Sequence, residues 1–290
     1  MLFQGTGVAL VTPFDRDGTV DFKALSRIVE HCISGQADYL VAMGTTGESA
    51  TLSPDENAAV VRHIVAVAAE RIPVVLGVGG NDTAKIIANM GNINFSGISG
   101  ILSVAPYYNK PAQCGIIAHF RAIAAHSPVP VILYNIPGRT GVNMTAETTL
   151  TLAREARIAG VKEASGNMTQ MMAIIAGKPD DFAVISGDDA LTLLLIAAGG
   201  NGVISVAANA FPQRMATLVR EALANRLEKA RETHYRLLPL FESLIADGNP
   251  SGIKATLHLL GLCENVLRLP LTPVSEATYL KLEKFVKNVR

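Results

Sequence analysis

The sequence predicts a (β/α)8 barrel, a TIM barrel of the α/β class, followed by a C-terminal helical extension. Two observations support this prediction: eight short apolar segments recur along residues 1–226, and amphipathic helical patterns lie between them. Continuous apolar strands that alternate with helices indicate a parallel sheet covered on both faces. Eight such units fit a closed barrel better than an open sheet, which usually has fewer strands.

Each predicted strand is a run of apolar residues that ends at a turn. The strands are residues 7–11, 39–42, 74–78, 100–104, 131–134, 158–162, 182–186 and 202–206. Helical patterns between them include residues 21–34, 54–70, 113–126, 146–157 and 190–198. The start of the second pattern is well marked, because Ser53 suits the N-cap, Pro54 the first helical position and Glu56 a capping box.

The remaining residues, 227–290, predict further helices without a strand between them. Their apolar faces contain Phe241, Leu244, Ile245, Leu257, Leu260 and Leu262. We therefore expect a catalytic barrel over residues 1–226 and a helical extension over residues 227–290 that packs on the barrel.

Composition excludes several classes of protein. The chain has 25 Lys plus Arg and 25 Asp plus Glu, so no net charge favours nucleic acid or an anionic membrane as a partner. No apolar stretch approaches the roughly 20 residues that span a bilayer, and the N-terminus lacks the pattern of a signal peptide. We expect a cytoplasmic protein with buried, reduced cysteines.

No metal or nucleotide motif is complete. The six histidines show no HExxH or other paired spacing, so no metal site is expected. The glycines at 77, 79 and 80 lack the third spaced glycine and the acidic residue of a dinucleotide fingerprint.

Lys162 is the most informative residue, because it ends the apolar run 158–162. Burial disfavours the ammonium form of a lysine, and a neutral amine forms Schiff bases with carbonyl substrates. The alternative is a lysine that extends its charged head to the rim of the sheet and has no catalytic role.

The other strand ends decide between these alternatives, because barrel enzymes carry their catalytic residues there. Thr45 and Thr46 lie between glycines after the second strand, a suitable site for a carboxylate. Tyr134 ends the strand before that of Lys162 and could transfer a proton, and Arg139 follows it as a candidate carboxylate clamp. Their convergence on one rim favours carbonyl chemistry.

Six motifs resemble those of the dihydrodipicolinate synthase family of pyruvate-dependent class I aldolases. They are GTTGES at 44–49, PYYNKP at 106–111, YNIPGRTG at 134–141, GVKEASGN at 160–167, SGDDA at 186–190 and GGNGVISV at 199–206. Together they span most of the chain in the family's order. Related pyruvate aldolases, such as N-acetylneuraminate lyase, typically lack the arginine present here as Arg139 and have GSTGE in place of GTTGE.

The resemblance implies a role for each matching residue. Lys162 would form the Schiff base with pyruvate, and Tyr134, Thr45 and Tyr108 would relay protons, with Tyr108 supplied by a neighbouring subunit in many members. Thr45 and Thr46 would hold the pyruvate carboxylate, and Arg139 would bind the carboxylate of L-aspartate 4-semialdehyde. Gly187, Asp188 and Ile204 would line the pocket, the last through its main chain.

The implied reaction gives 4-hydroxy-tetrahydrodipicolinate, for lysine and diaminopimelate biosynthesis, and needs no metal or organic cofactor. The implied assembly is a homotetramer built from two dimers, although some members are dimers. Two alternatives stay open: a pyruvate aldolase acting on a sugar acid, and a catalytically silent barrel that binds a keto acid or serves as a scaffold.

One departure from the family concerns inhibition by lysine. Inhibited members have histidines and a glutamate where this chain has Pro54, Asn57 and Lys85, whereas Ser49, Ala50, Asn81 and Tyr107 still match. Because Lys85 places a cation where a carboxylate would receive the inhibitor's ammonium group, the resemblance implies weak or absent inhibition.

Overall fold

The computed structural model describes residues 3–289 and contains the closed barrel that the sequence predicts. Every strand is parallel to its neighbours, and the first pairs with the eighth, with Gly5 opposite Gly202. The strands are β1 (Gly5–Ala9), β2 (Tyr39–Ala42), β3 (Val74–Gly77), β4 (Gly100–Val104), β5 (Val131–Asn135), β6 (Ile158–Glu163), β7 (Ala183–Ser186) and β8 (Gly202–Ser205).

Helices connect the strands and surround the barrel. Those of residues 3–226 are α1 (Phe22–Ser34), α2 (Pro54–Ala68), α3 (Thr83–Met90), α4 (Gln113–His126), α5 (Pro137–Thr140), α6 (Ala146–Leu152), α7 (Met168–Gly177), α8 (Thr192–Ala197) and α9 (Pro212–Leu223). The predicted start of α2 is confirmed: Glu56 N donates to the Ser53 hydroxyl, and the Glu56 carboxylate accepts from Ser53 N.

The extension is helical, as expected. It contains α10 (Leu227–Ile245), α11 (Ser251–Leu259) and α12 (Glu276–Val289). Helix α10 packs against α8 and α9, and α12 packs against α10 and α11. Within residues 3–289, no helix has both the length and the apolar character that crossing a membrane requires.

Several predicted boundaries differ from the structure by one residue or more, and two of these differences have identifiable reasons. The first strand spans Gly5–Ala9 and not residues 7–11, because Val11 N donates to the Asn209 side chain and leaves the sheet. Helix α6 stops at Leu152 and not at residue 157. Beyond it, Glu155 pairs with Arg121 and the Arg157 guanidinium donates to the carbonyl of Ser127, so tertiary contacts replace the helical turn.

The core has two layers, because side chains of a strand alternate between its two faces. One layer fills the barrel and includes Ile132, Tyr134, Ile185 and Ile204. The other lies between the strands and the surrounding helices. Residues that point into the barrel near the carboxyl ends of the strands therefore face a common space above this inner layer.

Candidate active site

Lys162 and Tyr134 lie side by side on β6 and β5. They are direct partners in the sheet register, and the Lys162 amino nitrogen is 4.4 Å from the centre of the Tyr134 ring. Each residue is only 6% exposed. Lys162 therefore points into the barrel, where it lines the cavity at the carboxyl ends of the strands.

A cavity of about 250 Å³ opens above this pair at the carboxyl ends of the strands. Seven of the residues predicted from the sequence line it: Thr45, Thr46, Tyr134, Arg139, Lys162, Gly187 and Asp188. The structure thus brings together the amino group of a lysine, a phenol, two threonines and a guanidinium in one space.

The turn after β2 presents the two threonines to the cavity. Residues 45–47 form a 3-10 turn in which Gly47 N donates to the carbonyl of Gly44. Thr46 is buried, and its hydroxyl accepts a hydrogen bond of 3.0 Å from the Asn249 side chain, whereas Thr45 is exposed. Short side chains on such a turn leave hydroxyl and amide groups available to an anion.

Arg139 also lines the cavity. The Pro/Gly-containing loop predicted there is the single helical turn α5, which begins at Pro137. The guanidinium is exposed and donates to the carbonyl of Asn249 at 3.3 Å. A guanidinium at the edge of a cavity can bind a carboxylate that enters it.

The structure places the three predicted pocket residues, Gly187, Asp188 and Ile204, at two depths in the barrel. Gly187 and Asp188 follow β7 and line the cavity, whereas Ile204 is buried in the inner layer of the barrel. Gly187 is close to Lys162, because an added Cβ would lie 3.0 Å from Lys162 Cε.

Tyr107 and Tyr108 lie outside the cavity. Tyr108 is 87% exposed and has a positive φ of 73°, a region that residues other than glycine seldom adopt. Within one chain the structure does not bring Tyr108 together with Tyr134 and Thr45, so the predicted relay is incomplete in the isolated subunit.

The predicted inhibitor-site residues are half-buried or exposed, and one of them contacts Tyr107. Asn81 donates to the carbonyl of Tyr107 at 3.2 Å, whereas Lys85 is exposed and lies 3.7 Å from Asp82. Ser49 is half-buried and Ala50 is exposed at the start of a second 3-10 turn.

Sequence reasoning missed a buried carboxylate next to Lys162. Glu163 is fully buried and points away from the barrel interior, because its neighbour Lys162 points into it. Its carboxylate accepts hydrogen bonds from the side chains of Asn135 and Gln170 and from Ser165 N, at 2.7–3.2 Å. These bonds join the ends of β5 and β6, where Tyr134 and Lys162 are located.

Sequence reasoning also missed the part of the cavity that the extension supplies. Phe241, Glu242, Leu244, Ile245 and Asn249 contribute to its lining. The apolar face of α10 was visible in the sequence, but nothing local indicated that one edge of it faces the cavity.

Asp189 also lines the cavity, beside Asp188. Burial raises the pKa of its carboxyl group, although Oδ2 accepts hydrogen bonds from Val206 N and Ala207 N. These bonds tie the segment after β7 to the segment after β8.

Comparison with known proteins identifies the family. A model of the dihydrodipicolinate synthetase family matches residues 2–289. The 4-hydroxy-tetrahydrodipicolinate synthase of Flavobacterium psychrophilum is 50% identical over 288 residues, which cover 99% of this chain and 98% of that protein. The dihydrodipicolinate synthase structure from Thermotoga maritima has a TM-score of 0.97 and 39% identity, and the match covers 99% of each chain.

A third match holds a ligand. The structure of the chloride-inhibited dihydrodipicolinate synthase from Acinetobacter baumannii, complexed with pyruvate, has a TM-score of 0.95 and 39% identity, and the match covers 98% of each chain. The agreement extends over nearly the full length of every chain compared. The chain therefore belongs to the dihydrodipicolinate synthetase family.

Proposed function

We infer that this chain is a lyase that condenses pyruvate with L-aspartate 4-semialdehyde to give 4-hydroxy-tetrahydrodipicolinate, and we propose that it does so through a Schiff base on Lys162. The relatives named above support the reaction. The observation that carries the proposed mechanism is the position of the Lys162 amino group, buried inside the barrel and 4.4 Å from the Tyr134 ring.

Condensation begins when the neutral amine of Lys162 adds to the keto carbon of pyruvate. Loss of water gives a protonated imine, which withdraws electrons from the adjacent methyl group and allows that group to lose a proton. The resulting enamine carbon attacks the aldehyde of the second substrate. The amino group of that substrate then attacks the imine carbon, which closes the ring and releases Lys162.

The surrounding side chains supply the binding groups and the proton transfers. Tyr134 is placed to transfer protons at the nitrogen of Lys162, with Thr45 as the next member of the relay. The Thr45–Thr46 turn receives the carboxylate of pyruvate, and Arg139 receives that of the semialdehyde. Gly187 and Asp188 line the cavity that receives the substrates, and Ile204, buried in the inner layer of the barrel, would contribute through its main chain.

Borohydride reduction in the presence of pyruvate tests the mechanism. We expect a stable adduct on Lys162, detected as a mass increase and located by peptide mapping, and no adduct in Lys162→Ala. Lys178→Ala is a matched control, since Lys178 lies outside the cavity. An adduct that forms equally in Lys162→Ala, or none in the wild type, contradicts the proposal.

We propose that the working form is a cytoplasmic homotetramer, a dimer of dimers, in which a partner subunit supplies Tyr108. The exposure of Tyr108 and its unfavourable backbone conformation support a contact with a partner. Cys32, Cys114 and Cys263 are free thiols, which suits a reducing compartment. Light scattering after size exclusion measures the subunit number, and a monomer with full activity contradicts this assembly.

Inhibition by lysine is expected to be weak or absent. Lys85 would oppose the ammonium group of a lysine bound beside Asn81 and Tyr107, since like charges repel. Initial rates at increasing lysine concentration measure this, and half-maximal inhibition below 1 mM contradicts it. Lys85→Glu restores a carboxylate at this position and is expected to increase the sensitivity to lysine.

A further inference from the structure

A buried ion pair joins the C-terminal extension to the turn that carries Thr45 and Thr46. Lys254 on α11 contacts the carboxylate of Glu48, and both side chains are 0% exposed. The Lys254 amino group also donates to the carbonyl of Val266 at 2.9 Å and lies 3.9 Å from the centre of the Phe14 ring. Glu48 accepts a further hydrogen bond of 3.2 Å from Arg268 N.

Stability alone is a poor explanation for this pair. Removing two charges from water opposes their mutual attraction, so a buried ion pair is often no more stable than a pair of well-packed apolar side chains. Glu48 also has a φ of 52°, the left-handed region that is unfavourable for residues with a Cβ. The buried ion pair and the left-handed backbone of Glu48 instead hold the chain in one conformation at this residue.

The backbone conformation at Glu48 fixes the positions of Thr45 and Thr46. Glu48 N donates to the carbonyl of Thr45 at 3.2 Å and thereby ends the 3-10 turn. The extension contacts the same turn a second time, because the Asn249 side chain donates to the Thr46 hydroxyl at 3.0 Å. Asn249 and Lys254 are five residues apart in the chain, so one short segment contacts the turn at two points.

We propose that Lys254 is a positioning residue for pyruvate: it holds Glu48, and through Glu48 it orients the turn whose Thr45 and Thr46 receive the carboxylate. This inference rests on the proposed function, because it assumes that the turn binds pyruvate. Lys254 touches neither substrate and acts only through Glu48.

The test uses the full-length chain with Lys254→Met and Glu48→Gln, singly and together. The double variant is the informative one, because it leaves no unpaired buried charge and is therefore expected to fold. The measurement is the pyruvate concentration that gives half of the maximal borohydride-trapped adduct. We expect a rise on the order of tenfold or more in the double variant, since small displacements of binding groups have large effects. The KM for the semialdehyde should stay nearly constant.

Glu56→Gln is the matched control, because it removes a carboxylate from the ion pair with Arg268 close to the same turn. We expect a lower melting temperature in this variant and an unchanged half-saturation by pyruvate. A purely structural role for Lys254 would reduce the amount of active protein and leave both half-saturation values unchanged. A folded double variant with wild-type half-saturation overturns the inference. If the wild type forms no adduct, the proposed function has failed instead.

Discussion

Because Gly187 has no side chain, there is space beside it for the side chain of Lys162. A Cβ there would lie 3.0 Å from Lys162 Cε, 3.2 Å from Lys162 Cγ and 2.7 Å from the Cβ of Ala164, closer than side chains normally approach. Any larger residue must therefore displace the lysine or the backbone. Within the barrel this glycine makes room for the extended lysine side chain.

Gly187→Ala is expected to lower turnover on the order of a hundredfold, because a misplacement of about 1 Å in a catalytic group has an effect of this size. Initial rates and the rate of borohydride trapping measure it. Gly138→Ala is the control, since nothing lies within 4 Å of the methyl group it would add. Equal activities of the two variants would show that the lysine tolerates the contact.

His119 makes the stability of the protein depend on pH. The ring is buried on α4, with Nδ1 hydrogen-bonded to the Thr83 hydroxyl at 2.8 Å and no hydrogen-bond partner at Nε2. Burial lowers the pKa of His119 to about 4, from the ordinary value of about 6.5. Burial also lowers the pKa of His234.

Because the unfolded chain binds the proton first, the contribution of His119 to stability is complete above pH 6.5 and declines as the pH falls toward 4. We expect the melting temperature of His119→Gln to fall less steeply over this range than that of the wild type. His126→Gln, at an exposed position on the same helix, should retain the wild-type slope. Parallel slopes for all three proteins would contradict this assignment.

At the scale of single elements, the sequence predicted helix boundaries correctly where contacts between residues close in the chain determine them. Helix α4 spans Gln113–His126 as predicted, and the capping box of α2 is formed as predicted. The carboxyl ends of α6 and β1 were wrong, because contacts with Arg121, Ser127 and Asn209 determine them and all three residues are distant in sequence.

Ser53→Ala tests the contribution of the α2 cap. Loss of the hydroxyl leaves Glu56 N without its acceptor, so we expect the free energy of unfolding to fall by about 1 kcal/mol. Chemical denaturation measures the change. Thr217→Ala on α9 is the control, because its hydroxyl bonds to the carbonyl of Gln213 within its own helix. If Ser53→Ala is as stable as Thr217→Ala, water has replaced the Ser53 hydroxyl as the acceptor for Glu56 N and the prediction is wrong.

At the scale of the whole molecule, the sequence indicated the barrel residues that line the cavity better than it indicated the contribution of the extension. Strand ends predicted Lys162, Tyr134, Thr45, Thr46 and Arg139, and the cavity contains all five. The contribution of the extension was invisible, since Asn249 and Lys254 reach the barrel only through the tertiary fold. A local sequence pattern does not encode contacts between segments that are distant in the chain.

We propose that residues 1–226 form the catalytic barrel and residues 227–290 the extension, and that the barrel does not function alone. A chain truncated after residue 226 would leave Glu48 buried without Lys254 and Thr46 without Asn249. We expect this fragment to show no cooperative thermal transition and no trapping of pyruvate. Calorimetry and mass spectrometry measure both properties, and a folded fragment that forms the adduct contradicts the proposal.

The pairing of β1 with β8 has a consequence for biosynthesis. Gly5 pairs with Gly202, so β1 has no partner on one edge until β8, the last strand of the barrel, has been synthesised and the ring of hydrogen bonds can close. During translation, which proceeds at about 5–20 residues per second, the edge of β1 stays open for many seconds. A nascent chain of this protein is therefore most vulnerable to aggregation and to proteases until residue 205 has left the exit tunnel.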